Sequence, residues 1–407
     1  MKRAHSGRSC TGATDQAVWQ FAPLSCGSFR YRCLVQHPLD PQALEAAIAH
    51  FTDQPVLRAE PLGDGHLHET VLVRLGGSAA GTEWVLQRVN TDVFKDVPAV
   101  MSNLARVTEH ARDRLRARGA SDLSRRVLTL VRTRAGAAYV ADPRLGTYRA
   151  FEYIAGSIAL ARAESANDAF EAGRACGEFA ALMSDLPEPA LHTTLPDFHA
   201  TDQRFLQLVA AMERDPVGRA ASVAEEWQAL RAREALAREC SLWSRSPELR
   251  VRVTHNDTKL NNILFDAATR RALCLVDLDT VMPGYIAYDF GDLVRTCLCT
   301  APEDARDPTQ VGLDFSLFAP LAQGYLSARV PGLTPLELKS LARGPLWIVL
   351  ELSLRFLTDH VQGDTYFKIA RPDHNLDRAR TALSLLAQLE AREAELSAIV
   401  ASEAAKH

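Results

Sequence analysis

The chain has 407 residues, of which 47% are hydrophobic and 24% charged, so it is expected to be an ordinary globular protein long enough for two lobes. Its net charge of −4 and pI near 6.3 exclude a strongly basic surface, and neither nucleic acid nor an anionic membrane is expected as a partner. The eight cysteines form no C-x-x-C pair, which argues against a disulfide or zinc framework.

The N-terminus and the hydropathy pattern predict a cytoplasmic location. The basic residues of segment 1–12 are not followed by an apolar stretch of the kind found in secretory signals. No apolar run approaches the roughly 20 residues that a membrane-spanning helix needs.

The first part of the chain predicts a small, mostly antiparallel sheet. After an irregular arm (1–38), segment 39–51 predicts a short helix with Asp40 as its cap. Strands follow at 56–62, 70–75 and 83–89, and glycine-rich hairpins join them. A helix at about 97–118 and strands near 127–132 and 137–140 complete an expected N-lobe of residues 39–151.

Beyond Gly156 the pattern changes to helices. Apolar residues recur with a period of 3.6 over 161–186, 221–245, 335–360 and 376–399. The expected interruption is one strand pair, 251–253 with 273–276. These segments predict a helical C-lobe, 152–407, and an α+β fold for the chain.

The densest group of polar side chains lies at the predicted strand pair. Asp257 ends the triplet His255-Asn256-Asp257, Asn262 follows five residues later, and Asp277 ends the next strand. Phosphoryl transfer needs a carboxylate that orients the attacking hydroxyl and oxygen ligands that hold Mg²⁺ on the phosphates. An H-x-D-x-x-x-x-N loop followed by a strand-end aspartate has this spacing. We therefore predict Asp257 and Asn262 as catalytic residues and Asn262 and Asp277 as magnesium ligands.

Two further aspartates follow Asp277. Asp279 lies two residues later on a segment expected to be extended, so both carboxylates should point to one face, which is costly unless a cation is near. Asp279 is therefore a candidate second metal ligand or a substrate contact, and the pattern leaves both open. Asp289 begins a D-F-G triplet thirty-two residues after Asp257, which is too far for the metal aspartate and favours a structural cap.

The nucleotide-binding residues are expected in the N-lobe, since no G-x-x-x-x-G-K-[ST] motif is present. The turn after the first strand supplies Gly63, Gly65 and His66 as a candidate phosphate loop. Arg88 is the candidate phosphate cation on the third strand. Gln87 points to the opposite face, and a slip of one residue would exchange the two. Glu109, on the following helix, is the expected ion-pair partner of this cation.

The N-rich catalytic loop, the DLDTVMPG segment and the YDFGDLVRT segment resemble the aminoglycoside phosphotransferase and choline kinase superfamily. Segments 85–110, 195–205 and 355–386 are similar, more narrowly, to its N-acetylhexosamine 1-kinase branch, and the resemblance covers about 55–390. It implies a protein-kinase-like bilobal fold with ATP and Mg²⁺ as cofactors, the backbone around Glu152 and Ile154 at the adenine, and Arg355 and Tyr366 in a sugar pocket. The implied reaction phosphorylates the anomeric hydroxyl of an N-acetylhexosamine.

Several alternatives stay open from the residues alone. Arg355 and Glu351 form an i, i+4 pair in an apolar helical segment, which suits either a substrate pocket or a buried structural ion pair. His199, Tyr285 and Arg295 are weaker pocket candidates. The acceptor could be another sugar, an aminoglycoside or a choline-like alcohol. The sequence shows no obvious acidic cluster beyond the catalytic one that could bind a cationic substrate, which favours a neutral acceptor. A catalytically silent pseudokinase is the remaining alternative, and the oligomeric state is undetermined.

Overall fold

A computed structural model describes residues 19–21, 31–33, 41–63, 68–77, 81–188 and 190–407. The chain divides into two compact units. The first unit comprises Met1–Lys95 and Thr129–Tyr153, and the second comprises Asp96–Leu128 and Ile154–His407. The first is built on an antiparallel sheet and the second mainly on helices, so the expected α+β fold class is confirmed.

Within its described residues, the first unit is one antiparallel sheet with one helix. Its elements are β1 (Trp19–Phe21), β2 (Tyr31–Cys33), α1 (Pro41–Ala49), β3 (Val56–Pro61), β4 (Glu69–Leu75), β5 (Thr82–Arg88), β6 (Leu130–Val131), β7 (Val140–Asp142) and β8 (Gly146–Glu152). The strand order is β2-β1-β3-β4-β5-β8-β6, and β7 pairs with β8.

Alternation along the strands places one face of this sheet against α1. Val71, Val73 and Leu75 of β4 are buried in the same core cluster as Leu44 and Ile48 of α1. Because side chains alternate with a period of two, the residues between them belong to the opposite face. This alternation decides which N-terminal side chains can share a surface.

The second unit contains the remaining helices and two small sheets. Its elements are α2 (Val97–Ala117), α3 (Leu123–Arg126), β9 (Ser157–Ala159), α4 (Ala166–Met183), α5 (Thr201–Arg214), α6 (Ala224–Arg231), α7 (Glu234–Trp243), β10 (Arg252–Thr254), β11 (Ile263–Asp266), β12 (Ala272–Leu275), β13 (Met282–Gly284), α8 (Ile286–Leu298), α9 (Phe318–Ser327), α10 (Pro335–Gln362), α11 (His374–Ala391) and α12 (Glu393–Ala404). The sheets are β12-β11-β9 and β10-β13.

The long helix α10 is packed closely on α8, the helix that follows the catalytic segment. A Cβ atom added to Gly344 of α10 would lie 1.9 Å from the Ala287 carbonyl oxygen of α8, and one added to Gly291 would lie 2.4 Å from Gly344. Only glycines allow the two backbones to approach this closely. The N-terminus of α10 is fixed by a capping box between Thr334 and Glu337.

Several predicted boundaries differ from the structure. Helix α2 groups with the second unit, whereas the sequence placed it in the N-lobe. Two stretches of the arm expected to be irregular are the strands β1 and β2. The single predicted strand pair is wrong: β10 pairs with β13, and β12 pairs with β11. Two of the predicted helical runs are each interrupted: 221–245 between α6 and α7, and 376–399 between α11 and α12. Among the helices within the described residues, none is long and apolar enough to span a membrane.

Candidate active site

The loop between β10 and β11 carries the predicted catalytic residues, and its backbone is held at Asn256. This residue has a left-handed backbone, with φ 65°. Its side-chain amide donates to the Thr280 carbonyl at 2.9 Å and accepts from the Thr254 hydroxyl at 2.9 Å. The short polar side chain thus satisfies the strained turn locally, as asparagine does at such positions.

Asp289, in the first turn of α8, binds the backbone of the same loop. Its carboxylate accepts the backbone N–H of His255 at 2.8 Å and of Asn256 at 2.6 Å, and the Thr258 hydroxyl donates to its carbonyl at 2.5 Å. Burial raises the pKa of Asp289, although the two N–H groups act in the opposite direction. The aspartate of the D-F-G triplet therefore serves the backbone of the catalytic loop.

Asp257 and Asn262 are in direct contact. The Asn262 side-chain amide donates to the Asp257 carbonyl at 2.8 Å and to its Oδ2 atom at 3.1 Å. The backbone oxygen of Asn262 accepts the N–H of Val276 at 2.8 Å, which ties the loop to the end of β12. Because its nitrogen is bound to Asp257, the amide oxygen of Asn262 is the side-chain atom suited to ligate a metal.

Lys259 is a site residue that the sequence reasoning missed. Its ammonium group lies 3.1 Å from Oδ2 of Asp257. Burial would raise the pKa of Asp257, but Lys259, His255 and Arg295 together lower it, so the pKa lies below its ordinary value. Burial would likewise lower the pKa of Lys259, but Asp257, Asp292 and Asp277 raise it. The missed signal is its place two residues after Asp257, in a chain with only six lysines.

Asp277 and Asp279 lie together, although not in the way that the sequence predicted. Asp277 has a left-handed backbone, with φ 61°, and a 3-10 turn, Leu278–Thr280, follows it. The expectation of an extended segment is therefore wrong, since the chain leaves β12 through a tight turn. A carboxylate oxygen of each still lies within 4.8 Å of the other, and Asp279 is 2% exposed.

The donor chemistry of this group fits a hard divalent cation. Two carboxylates and an amide oxygen are ligands that Mg²⁺ prefers, with water completing its shell. Two carboxylates at this separation, of which that of Asp279 is buried, repel each other unless a positive charge compensates them. Asn262, Asp277 and Asp279 are the residues that could hold the ion.

The candidate nucleotide residues of the first unit lie on different parts of its sheet. Gly63 follows β3 with φ 72°, while Gly65 and His66 lie outside the described residues. Arg88 is exposed and paired with Glu69 at 3.2 Å. Arg88 follows Leu86 by two residues on β5, so both side chains point to the same face of the sheet. Leu86 belongs to the core with α1, and Arg88 therefore lies on the α1 face.

The opposite face of the sheet carries a partly buried polar group centred on Gln87. The Gln87 amide donates to the Thr70 hydroxyl at 3.2 Å and accepts from Nε of Arg149 at 3.0 Å. Arg149 is 1% exposed and comes from β8, next to β5 in the sheet. The sequence analysis placed the candidate phosphate cation on β5, at Arg88. Arg149 is a second residue that it did not identify.

The remaining nucleotide candidates are placed as follows. Glu152 ends β8, where it pairs with Trp84 of β5. In the second unit, Ile154 is buried and its carbonyl accepts the Ser157 hydroxyl at 2.6 Å. Glu109 is an exposed residue of α2.

The acceptor candidates Arg355 and Tyr366 are brought together in the second unit. The Arg355 guanidinium carbon lies 5.9 Å from the ring centre of Phe198, 5.8 Å from that of Tyr366 and 5.4 Å from that of Phe367. Its nearest carboxylate is Glu351, at 3.9 Å. The guanidinium is thus bordered by three aromatic rings, a contact that stabilises a cation.

The two rings that follow α10 are held by a buried aspartate. The Asp359 carboxylate accepts the backbone N–H groups of Thr365, Tyr366 and Phe367 at 2.8, 2.8 and 2.9 Å. The Asn375 amide of α11 donates to the same carboxylate at 2.9 Å. The segment that carries Tyr366 therefore has a fixed course, although the Tyr366 side chain itself is exposed.

The weaker pocket candidates differ in their surroundings. His199 bridges Glu351 and the Asn256 carbonyl. Arg295 is buried and donates to Asp292 at 2.7 and 2.9 Å, with Glu303 at 3.3 Å. Burial would lower its pKa, but these two carboxylates raise it. Tyr285 is the residue before α8, and burial raises its pKa.

A sheet unit followed by a helical unit with an H-x-D-x-x-x-x-N loop and a strand-end aspartate defines a phosphotransferase of protein-kinase-like fold. Residues 58–325, well over half of the chain, match the model of the phosphotransferase enzyme family (APH). The chain belongs to this family.

Solved structures with the same fold include several small-molecule kinases. An aminoglycoside phosphotransferase from Alicyclobacillus acidocaldarius is 17% identical with a TM-score of 0.55, over 92% of this chain and 98% of that one. A spectinomycin phosphotransferase in complex with ADP and its antibiotic is 11% identical with a TM-score of 0.56, over 87% and 99%. A microcompartment-associated aminopropanol kinase is 17% identical with a TM-score of 0.52, over 88% and 99%.

The family match confirms the expected superfamily and the broad class, a phosphotransferase. At such identities the solved structures support the fold alone. They do not distinguish the N-acetylhexosamine 1-kinase branch from the others.

Proposed function

We propose that this protein is an ATP- and Mg²⁺-dependent kinase that phosphorylates a hydroxyl group of a neutral sugar, with the anomeric hydroxyl of an N-acetylhexosamine as the first candidate. Other small alcohols are the alternative. The proposal combines the catalytic loop around Asp257 with the surroundings of Arg355.

Each catalytic side chain has a role that follows from its contacts. Asp257 is ionised at neutral pH because its pKa is lowered, so it can accept a hydrogen bond from the attacking hydroxyl and orient it. Asn262 fixes Asp257 through its amide nitrogen, and its amide oxygen joins Asp277 and Asp279 as a ligand for Mg²⁺. Bound Mg-ATP would supply the phosphoryl group, and its Mg²⁺ would neutralise the negative charge of the phosphate oxygens. Lys259 places a further positive charge beside Asp257.

The proposal of a neutral rather than a cationic acceptor rests on the position of the Arg355 guanidinium. Choline, ethanolamine and aminoglycosides are cations, and proteins bind cations with carboxylates or with aromatic rings around an open space. Here the rings of Phe198, Tyr366 and Phe367 border a cation of the protein itself. A second cation there would be repelled, whereas the N–H groups of Arg355 can donate to hydroxyl or acetamido oxygens.

The direct test is an ADP-release screen with N-acetylhexosamines, plain hexoses, aminoglycosides and choline as acceptors. We expect turnover with an N-acetylhexosamine and a product phosphorylated at the anomeric oxygen. Efficient turnover of choline or an aminoglycoside, with none for sugars, would refute the neutral-sugar proposal.

The role of Arg355 is tested by Arg355→Gln with Arg343→Gln as a matched control. Both arginines are on α10 with similarly buried side chains, 17% and 14% exposed, and Arg343 instead pairs with Glu239 and Glu393. We expect Arg355→Gln to raise the KM for the sugar at least about tenfold, the effect of one lost hydrogen bond to a charged group, with the KM for ATP unchanged. Arg343→Gln should lower the melting temperature without this selective effect. A destabilised Arg355→Gln enzyme with an unaltered sugar KM would remove Arg355 from the pocket.

A further inference from the structure

His199 lies between α10, the helix that carries Arg355, and the loop that carries Asp257. It precedes α5, and its side chain is 10% exposed. Its Nδ1 atom lies 3.2 Å from Oε1 of Glu351 on α10, and its Nε2 atom lies 3.0 Å from the carbonyl oxygen of Asn256. The ring stacks on Tyr288 of α8 at 4.3 Å with an interplanar angle of 10°.

The partners of this ring require a proton on each nitrogen. A backbone carbonyl oxygen can only accept a hydrogen bond, and an ionised carboxylate can also only accept. A neutral imidazole has one N–H group and one lone pair, so one of its nitrogens would face an oxygen lone pair. An imidazolium satisfies both contacts. The Thr201 hydroxyl donates to Oε2 of Glu351 at 3.1 Å, which favours the ionised carboxylate.

The electrostatic balance agrees with this geometry. Burial would lower the pKa of His199, but the Glu351 carboxylate and the Asn256 carbonyl raise it above the ordinary value. Burial would raise the pKa of Glu351, but His199 and Arg355 lower it. Both shifts favour the charged pair, an imidazolium beside a carboxylate.

The contact with Asn256 reaches the catalytic carboxylate through a single peptide. Asn256 immediately precedes Asp257, and its N–H, side-chain amide and carbonyl are bound by Asp289, Thr280 and His199. The carbonyl belongs to the peptide that joins Asn256 to Asp257, so it sets the plane from which the Asp257 side chain leaves. Glu351, the other partner of His199, also lies beside Arg355.

We propose that His199, held as an imidazolium between Glu351 and the Asn256 carbonyl, is a positioning residue that aligns Asp257 and links it to the helix of Arg355. The alignment rests on the proposed role of Asp257 but not on the identity of the acceptor. Deprotonation of His199 leaves one of its two contacts without a hydrogen bond, which loosens the catalytic peptide.

The proposal predicts the direction in which the effect of His199 changes with pH. Because the pKa of His199 is raised, its stabilising effect is complete below about pH 6.5, the ordinary histidine value, and is lost as the pH rises through the raised pKa. The titratable groups that act on the ring come from two helices: Glu351 of α10, and Tyr288, Asp289 and Asp292 of α8. Behind them, Arg355 lies beside Glu351, and Cys240 of α7 contacts Tyr288.

The first measurement is the protonation state of His199 by nitrogen NMR of the full chain labelled in histidine. The His199 signals are assigned by their loss in His199→Gln. We expect both ring nitrogens to carry protons at neutral pH and Glu351→Gln to shift the titration to lower pH. A neutral His199 with a single tautomer at neutral pH would overturn the proposal, whatever the acceptor is.

The second measurement compares kinetics of His199→Gln with those of His110→Gln. His110 is a matched control: its ring is 13% exposed and also contacts a backbone carbonyl, of Leu182, and a carboxylate, of Asp185. We expect His199→Gln to lower kcat by about 10- to 100-fold, the range for a misaligned reacting group, with little change in the KM for ATP. We also expect it to remove the alkaline decline of kcat, whereas His110→Gln keeps the wild-type pH profile.

The outcomes separate this inference from the proposed function. If Asp257→Asn abolishes turnover while His199→Gln keeps the wild-type kcat and alkaline limb, the positioning role is wrong and the kinase assignment stands. If Glu351→Gln lowers the melting temperature without moving the alkaline limb, the pair is only structural and the proposal also fails. If Asp257→Asn retains turnover, the proposed function itself fails.

Discussion

Replacing Asp289 by alanine tests whether this aspartate supports the catalytic loop or holds the metal. The substitution removes the acceptor of two buried backbone N–H groups, those of His255 and Asn256. Each N–H group left buried without a partner costs about 1–3 kcal/mol, so the two together predict about 2–6 kcal/mol. We expect the lower half of this range, because burial has already raised the pKa of Asp289 and the variant no longer buries a carboxylate. Such a loss is a large part of the roughly 5–15 kcal/mol that stabilises a typical domain.

The assay is urea unfolding of Asp289→Ala and Asp289→Asn, together with Mg²⁺ titration of turnover in comparison with Asp277→Ala. Asparagine keeps one acceptor oxygen, so Asp289→Asn should lose roughly half as much stability as Asp289→Ala. We expect both Asp289 variants to keep the wild-type Mg²⁺ dependence and Asp277→Ala to need much more Mg²⁺. An ordinary Mg²⁺ dependence in Asp277→Ala, with a shifted one in Asp289→Ala, would refute the assignment.

Two further predictions concern the charged pair at the centre of the site. Asp257→Asn should keep the fold and nucleotide binding but lose turnover by at least about 100-fold, since no group remains to take the hydroxyl proton, and a variant with more than a tenth of the wild-type rate would contradict this. Lys259→Met should shift the acidic limb of kcat to higher pH, because Asp257 loses the charge that lowers its pKa, whereas Lys339→Met, beside Trp243, should leave the pH profile unchanged.

The contact between Asp257 and Asn262 could be predicted from sequence because both residues lie in one short stretch. Asp257 and Asn262 are five residues apart, and the loop geometry that brings their side chains to 3.1 Å is local. Lys259 lies in the same loop and could have been found by the same reasoning. Arg149 could not, because it reaches Gln87 only through the pairing of β8 with β5, strands separated by more than fifty residues of chain.

The strand partners and helix breaks were harder to predict for a different reason. Apolar periodicity reports which face of an element is buried, but it does not report which strand lies beside it. The stretch between β10 and β13 therefore looked like one strand pair, although it contains two pairings in different sheets. Likewise the break after Ala391 falls where the backbone of Arg392 leaves the helix, with φ −116°, without a proline or glycine to announce it.

The course of the segment that carries Tyr366 depends on a contact that no short sequence motif encodes. Asp359 is in the last turns of α10, and its carboxylate holds three successive N–H groups of the segment that follows. A carboxylate has two oxygens that can accept several backbone N–H groups at once, so it can fix an irregular segment without regular secondary structure.

Two turns of the second unit have an L-residue with a left-handed backbone at or next to a candidate site residue. Asn256 precedes Asp257, and Asp277 is itself a candidate ligand. Each such residue costs roughly 1–2 kcal/mol relative to the ordinary helical region, so it persists only where other bonds compensate. At Asn256 these bonds come from Asp289, Thr280 and His199, which lie outside the loop on three different segments. The direction of the Asp257 carboxylate is therefore a property of the packed helical unit, and the loop sequence alone does not determine it.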